Sequence, residues 1–385
     1  MQKCNEVCIH NHYHNMEVLG DIVIRLSVEQ LEPGMLVARS IYDGDGRVLL
    51  HDGISLDEIY IKRLKEMNIH SVYIKNELTD DLYIPEIISE TTRIKAVKDI
   101  KQNFLNLEKS RKLNIRSVKT LVDNILDELL LNNKVLIHLT DIHSFDDYTF
   151  AHSVNVCVLS IVTGITLGYH DLKLKELGLG ALLHDIGKTK IDKDILNKPD
   201  DLTKAEFEEV KRHPQYGFDI LRKYDEIPLL SAHVALQHHE RWDGKGYPRN
   251  LAGEDIHEYS RIAAAADVYD ALLADRPYRP SYTVNQALTV LNRMAGVYLD
   301  KDAVCALVSN IAVYPIGTIV ELNTGDIGVV VDVNREYPTK PILRIVYDKT
   351  TRKICSPHEV DLSKLTTIVI KKPLSQEEFN VFRKM

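Results

Sequence analysis

Between Val135 and Ala312 the apolar residues recur with helical spacing and strand-like alternation is absent, whereas from Tyr314 to Lys372 the pattern reverses. Runs such as Gly328-Val-Val-Val-Asp and Ile342-Leu-Arg-Ile-Val-Tyr, separated by Asn-Thr-Gly-Asp and Pro-Thr-Lys-Pro, read as strands joined by turns. One chain therefore changes fold class near residue 313. A third pattern precedes both. Ile22–Leu26 and Ser71–Ile74 are strand-like, Asp43-Gly-Asp-Gly46 is a turn, and Ser55-Leu-Asp-Glu58 is a capping box ahead of a short amphipathic helix. With 385 residues, more than one core is expected. The expected division is a polar tail (1–20), a small α/β module (21–80), a helical connector (81–134), an all-helical domain (135–312) and a small β-barrel-like domain (313–385).

Charge and cysteine usage narrow the function. A net charge of −8 argues against a nucleic-acid polymer as partner. The five cysteines form no ladder of pairs, which fits a reducing cytoplasm. The most apolar stretch, Val154 to Leu167, reads as too short and too mixed to span a bilayer, so no membrane insertion is expected. No basic segment followed by an apolar one marks an export signal.

Ten of the sixteen histidines fall between His138 and His257. Histidine is a mediocre helix former and a costly core residue, so such bunching beside acidic groups points to metal. The sharpest element is Gly180-Ala-Leu-Leu-His184-Asp185-Ile-Gly187-Lys188. An adjacent His-Asp pair offers an imidazole to one ion and a carboxylate able to bridge two. Gly187 is expected to permit a tight turn, and Lys188 sets a cation beside the site. The second element is His238-His239-Glu240-Arg-Trp-Asp243-Gly-Lys-Gly246-Tyr247-Pro248. Neighbouring histidines cannot share one helix face, so the helix must end there, as the glycine-rich run suggests. Alone, His152, His213 and Asp267 would read as a core histidine, a helix-end residue and a packed polar group. Mixed nitrogen and oxygen donors suit manganese, iron, nickel or zinc better than magnesium or calcium.

In order along the chain, Asp147-Tyr-Thr-Phe-Ala-His152, His184-Asp185-Ile-Gly-Lys188, His213-Pro-Gln-Tyr-Gly217, the run from His238 to Pro248, Asp267-Val-Tyr-Asp270 and Arg276-Pro-Tyr-Arg279 resemble the HD-GYP family of metal-dependent phosphohydrolases. The resemblance implies a multidomain protein, an all-α HD-type catalytic domain with small flanking domains. It also implies hydrolysis of cyclic di-GMP, to linear pGpG or GMP, through a hydroxide bridging two metals. One ion would take His152, His184, Asp185 and Asp267, and the other Asp185, His213, His238 and His239. Tyr148 stands where some family members carry a glutamate for a third ion, so two divalent ions are expected, iron or manganese before nickel or zinc. Asp185 and Lys188 would be the catalytic residues. Lys188, Tyr247, Arg276 and Arg279 would contact substrate, arginine's fork being suited to phosphate.

Two other readings stay open: a cyclic-dinucleotide-binding signalling protein that no longer turns over, and an HD hydrolase of another nucleotide. A homodimer or a signalling partner fits the helices before Val135. The tail carries zinc-like residue types (Cys4, Cys8, His10, His12, His14) at a spacing that fits no common structural motif.

Overall fold

In the computed structural model, residues 23–38, 40–42, 48–67, 69, 71–75, 87–110, 112–132, 136–137, 148–196, 198, 200–274, 282–351, 353–374 and 378–379 are described. The Asp43–Gly46 turn, the N-terminal cysteines and histidines, and Arg276 and Arg279 lie outside them.

The N-terminal segment pairs β1 (Val23–Ser27) antiparallel with β4 (Ser71–Lys75), and β2 (Ile41–Tyr42) with β3 (Val48–Leu50). Helix α1 (Glu58–Glu66) starts one step differently from the sequence expectation. Its cap is Asp57, whose carboxylate accepts from Tyr60 N at 2.7 Å, not Ser55. Val28, Val37, Leu56, Leu64, Val72 and Ile74 form a small core of their own.

Helices α2 (Glu90–Ser110) and α3 (Ile115–Leu131), read from sequence as a connector, bury Ile100, Phe104, Val118, Val122 and Ile125 in the same core as the helices that follow. These are α4 (Tyr148–Thr166), α5 (Asp171–Leu182), α6 (Lys193–Leu196), α7 (Lys204–Val210), α8 (His213–Leu221), α9 (Leu229–Gln237), α10 (Glu258–Leu273), α11 (Val284–Met294) and α12 (Lys301–Val308). Helix α4 is long and apolar enough over Thr149–Thr166 to cross a membrane by length and composition, contrary to the sequence reading, yet 78% of that window is buried inside the fold. Helix α10 packs against α4 and α9, and Ala263 to Ala266 along it are all buried. A capping box, Thr203 with Glu206, starts α7. That helix stops at Val210, and Pro214 lies in the first turn of α8, where a proline's missing N–H costs nothing.

The C-terminal segment is one antiparallel sheet of β5 (Ile319–Leu322), β6 (Ile327–Asp332), β7 (Ile342–Asp348), β8 (Lys353–Asp361) and β9 (Ile370–Pro373), in the order β8-β7-β6-β5-β9. No pairing between β8 and β9 closes it into a barrel among the described residues. Both faces are covered: Val320, Val330, Leu343 and Ile345 line one core, and Ile319, Ile327, Val329 and Val346 another. The alternation that marked the strands in sequence sorts residues between these two cores. The run Thr367-Ile-Val-Ile370 is strand-like in sequence, but β9 begins only at Ile370, and no strand was expected where β8 lies.

Candidate metal centre

Helix α5 ends at Leu182, and His184 and Asp185 follow in the turn that leads into a 3-10 segment, Ile186–Lys190. Gly187 is required there by close approach: a Cβ would stand 1.9 Å from His213 O and 2.5 Å from Gly217 N. The tight-turn role expected from sequence is replaced by this one, and it sets the start of α8 against Asp185. Helix α9 ends at Gln237, with His238 as its cap, so His238 and His239 leave the helix together, as anticipated. Helix α4 supplies His152, and α10 supplies Asp267.

The seven expected ligands converge. Asp185 Oδ1 lies 3.4 Å from His213 Nε2 and 3.8 Å from His238 Nε2, while Oδ2 lies 3.4 Å from His184 Nε2 and 4.0 Å from His152 Nε2. Asp267 Oδ1 is 3.2 Å from His152 Nε2. Two compact groups result, His152-His184-Asp185 and His213-His238-His239.

The second nitrogen of each ring fixes what the first can do. His184, His213 and His238 each direct Nδ1 at a backbone carbonyl, Ala181 O (2.7 Å), Val210 O (2.7 Å) and Ala235 O (3.0 Å), so Nδ1 donates and Nε2 carries a lone pair. His213 Nε2 and His238 Nε2 then face each other at 3.2 Å, lone pair to lone pair. His184 Nε2 and Asp185 Oδ1 are buried with no hydrogen-bond partner among the described residues. Such an arrangement repels itself unless a cation sits within it. Atoms about 2.1 Å from one ion, at angles between a right angle and a tetrahedral one, stand about 3.0–3.4 Å apart, which matches the closest of these separations. The donor set therefore fits a divalent metal.

On the His213 side the electrostatics agree. Burial pulls His213 down to about 3 and His239 down to about 4, and holds His238 well below its ordinary value, so these rings stay neutral and able to ligate. Burial also works against a charged His152, but hydrogen bonds to Asp267 and Asp270 outweigh it and push that ring up to about 10. Burial likewise disfavours ionised Asp185, yet Lys188 and His184 hold it well below the usual carboxylate range. The Lys188 ammonium is 2.5 Å from Asp185 Oδ2 at the rim of a cavity of about 320 Å³ lined by Thr149, His152, Asp185, Lys188, His239 and Asp267. Tyr247 stacks on His239 with ring centroids 4.8 Å apart.

Two residues quoted within the sequence motifs, Asp270 and Glu240, were given no role there and prove to be supports. Asp270 accepts from His152 Nδ1 at 2.7 Å and from Asn155 Nδ2 at 2.7 Å. Its spacing of three from Asp267 on one helix was the available signal. Glu240 is buried and accepts from Arg249 N (2.7 Å) and Leu251 N (3.0 Å), which ties down the loop carrying Tyr247. Gly246 lies flat on that loop's base, where a Cβ would meet Arg241 N at 2.4 Å.

Residues 134–303 match the HD domain family, and residues 319–382 match a KOW domain associated with HD domains. The helical part of this chain therefore matches an HD domain. His184-Asp185 and Gly246-Tyr247-Pro248 are the residues on which the sequence resembles the HD-GYP family. A Pseudomonas aeruginosa protein named cyclic di-GMP phosphodiesterase is 37% identical over 244 residues, covering 63% of this chain and 59% of that one. A Vibrio cholerae protein named 3′3′-cGAMP-specific phosphodiesterase 3 is 38% identical over 160 residues, covering 42% of this chain and 35% of that one. A solved HD-GYP-like protein from Bdellovibrio bacteriovorus is 20% identical, with a TM-score of 0.48, covering 74% of this chain and 98% of that chain. The chain thus spans well under two thirds of both curated relatives.

Proposed function

We propose that this protein is a metal-dependent phosphodiesterase that hydrolyses cyclic di-GMP to linear pGpG or GMP. The observation that carries the reading is the division of Asp185, whose two oxygens face two separate sets of imidazoles. His152, His184, Asp185 and Asp267 would hold one divalent transition-metal ion, and Asp185, His213, His238 and His239 a second, iron or manganese before nickel or zinc. Such ions supply Lewis acidity toward a phosphate and a water acidic enough to attack near neutral pH. The chain's own groups do the rest. Lys188, at the cavity rim, binds a phosphate oxygen or protonates the departing one. Tyr247, neutral because burial pushes its phenol up, offers a ring face to the dinucleotide. Arg276 and Arg279 are proposed as phosphate contacts on the sequence pattern alone.

Around this centre we infer the division 21–80, 81–134, 135–312 and 313–385, with α2 and α3 of the 81–134 segment packed into the core of the helical domain, the N-terminal α/β module and the C-terminal KOW-like domain in structural or regulatory roles, in the cytoplasm, with a homodimer or signalling protein as further partner. A second substrate reading has its own support, since one relative is named for 3′3′-cGAMP. Turnover of cyclic di-GMP and 3′3′-cGAMP by manganese-loaded protein, followed by chromatography of products, separates them. Faster turnover of cyclic di-GMP is expected. Exclusive cleavage of 3′3′-cGAMP would replace the substrate, and binding without cleavage of either would make the protein a receptor.

A further inference from the structure

The two sets of imidazoles differ in what stands behind them. On the Oδ1 side of Asp185, His213 and His238 are backed by the backbone carbonyls of Val210 and Ala235, and the shared Asp185 is the one carboxylate. On the Oδ2 side Asp267 adds a second carboxylate, and His152 is backed by a third, Asp270. Asp270 is 1% exposed, and Asn155, 3% exposed, holds its other oxygen. His152 and Asn155 lie three apart on α4, and Asp267 and Asp270 three apart on α10. The facing helices thus lock the ring of His152 from both sides.

We propose, resting on the two-ion reading above, that the two ion positions are unequal, and that Asp270 is the positioning residue that makes the His152 side the tighter one. A carboxylate accepting from Nδ1 fixes the ring's rotation and makes Nε2 a more basic donor than a carbonyl does. It acts in a buried setting, where a full negative charge near the ion counts for more than in water. Among the described residues the Oδ1 side has neither Asp267 nor a ring shown hydrogen-bonded to a carboxylate, so its ion is the one that exchanges.

A role confined to bracing α4 against α10 would change melting and leave the ranking of the two ions untouched. The test is a titration of metal-stripped full-length protein with manganese(II), the free ion read by its electron paramagnetic resonance signal. The wild type is expected to fill in two steps. Asp270→Asn is expected to move the first step about 10- to 100-fold to higher free manganese and to leave the second in place. His213→Ala is expected to abolish the second step and keep the first. Filling in a single step, a first step unmoved by Asp270→Asn, or loss of the first step in His213→Ala would each overturn the proposal. A wild type that binds no manganese would instead sink the two-ion reading itself. If melting shows that Asp270→Asn does not fold, Asn155→Ala serves in its place. It frees one oxygen of Asp270 and is expected to move the same step by a smaller factor; an unmoved step again overturns the proposal.

Discussion

The helical domain and the C-terminal sheet both bury apolar side chains, but the helical domain buries charged and polar ones as well. Among the described residues, every buried charged or polar side chain lies between Arg93 and Asn310, and none lies in β5 to β9. The sheet is held by two apolar cores, at no desolvation cost to charge. The helical domain instead buries His152, His184, Asp185, His213, His238 and Asp270 around one point. Withdrawing such groups from water is expensive, and a core serving stability alone would not gather them. Polar burial marks where this chain gives up stability for chemistry, and apolar burial marks where it does not.

The sharpest break between the two regions is expected at Asp185. Asp185→Asn should lower turnover by about a thousandfold, about 4 kcal/mol of transition-state stabilisation, with a smaller change in melting. Steady-state kinetics and calorimetry on one preparation check this. Gly187→Ala comes next. Its Cβ meets the His213 carbonyl, so α8 must retreat; turnover should fall about a hundredfold, as for a group displaced by about 1 Å, with ions lost from the His213 side. Glu240→Ala leaves two loop N–H groups without their acceptor. The KM for the dinucleotide should rise about tenfold, equivalent to about 1.4 kcal/mol, with ion content unchanged.

Leu343→Ala inverts the pattern. Its side chain is fully buried in the sheet, so about 2–5 kcal/mol of stability should go while the turnover of the folded fraction holds. Loss of turnover at full folding would show that the sheet shares in the chemistry. The smallest effect is expected at the tie between α5 and α10. Burial pushes Glu258 up, but hydrogen bonds from Lys173 and Tyr169 outweigh it and leave its pKa below 4.5. A depressed carboxylate stabilises above its unfolded value and loses that contribution as pH falls through the folded one. Lys173→Met should therefore cost roughly 0.5 kcal/mol near neutral pH, a difference that fades in acid melts below pH 4.5.

The cluster proposed to hold metal was legible because its residue types and order survive in one dimension. His184-Asp185 and His238-His239 are adjacent in sequence, and the helix end that separates the second pair was implied by the glycines after it. The helices were legible too: the all-helical pattern expected from Val135 to Ala312 holds from α4 to α12. What failed depends on contacts distant in sequence. Asp270 acquires its role from His152, 118 positions away. Glu240 acquires its role from backbone groups that carry no sequence signature. Gly187 looked like a turn residue, although what it answers to is the backbone of another helix. The likeness of α4 to a membrane span was misjudged by length, while packing decided its place.

The most direct test uses one sample of protein reconstituted with manganese or with ferrous iron under anaerobic conditions, assayed for ions per chain and for cyclic di-GMP hydrolysis. The account requires about two ions per chain and turnover that disappears on chelation and returns with metal. Turnover that persists after complete chelation, or a chain that takes up no ion at all, would contradict it.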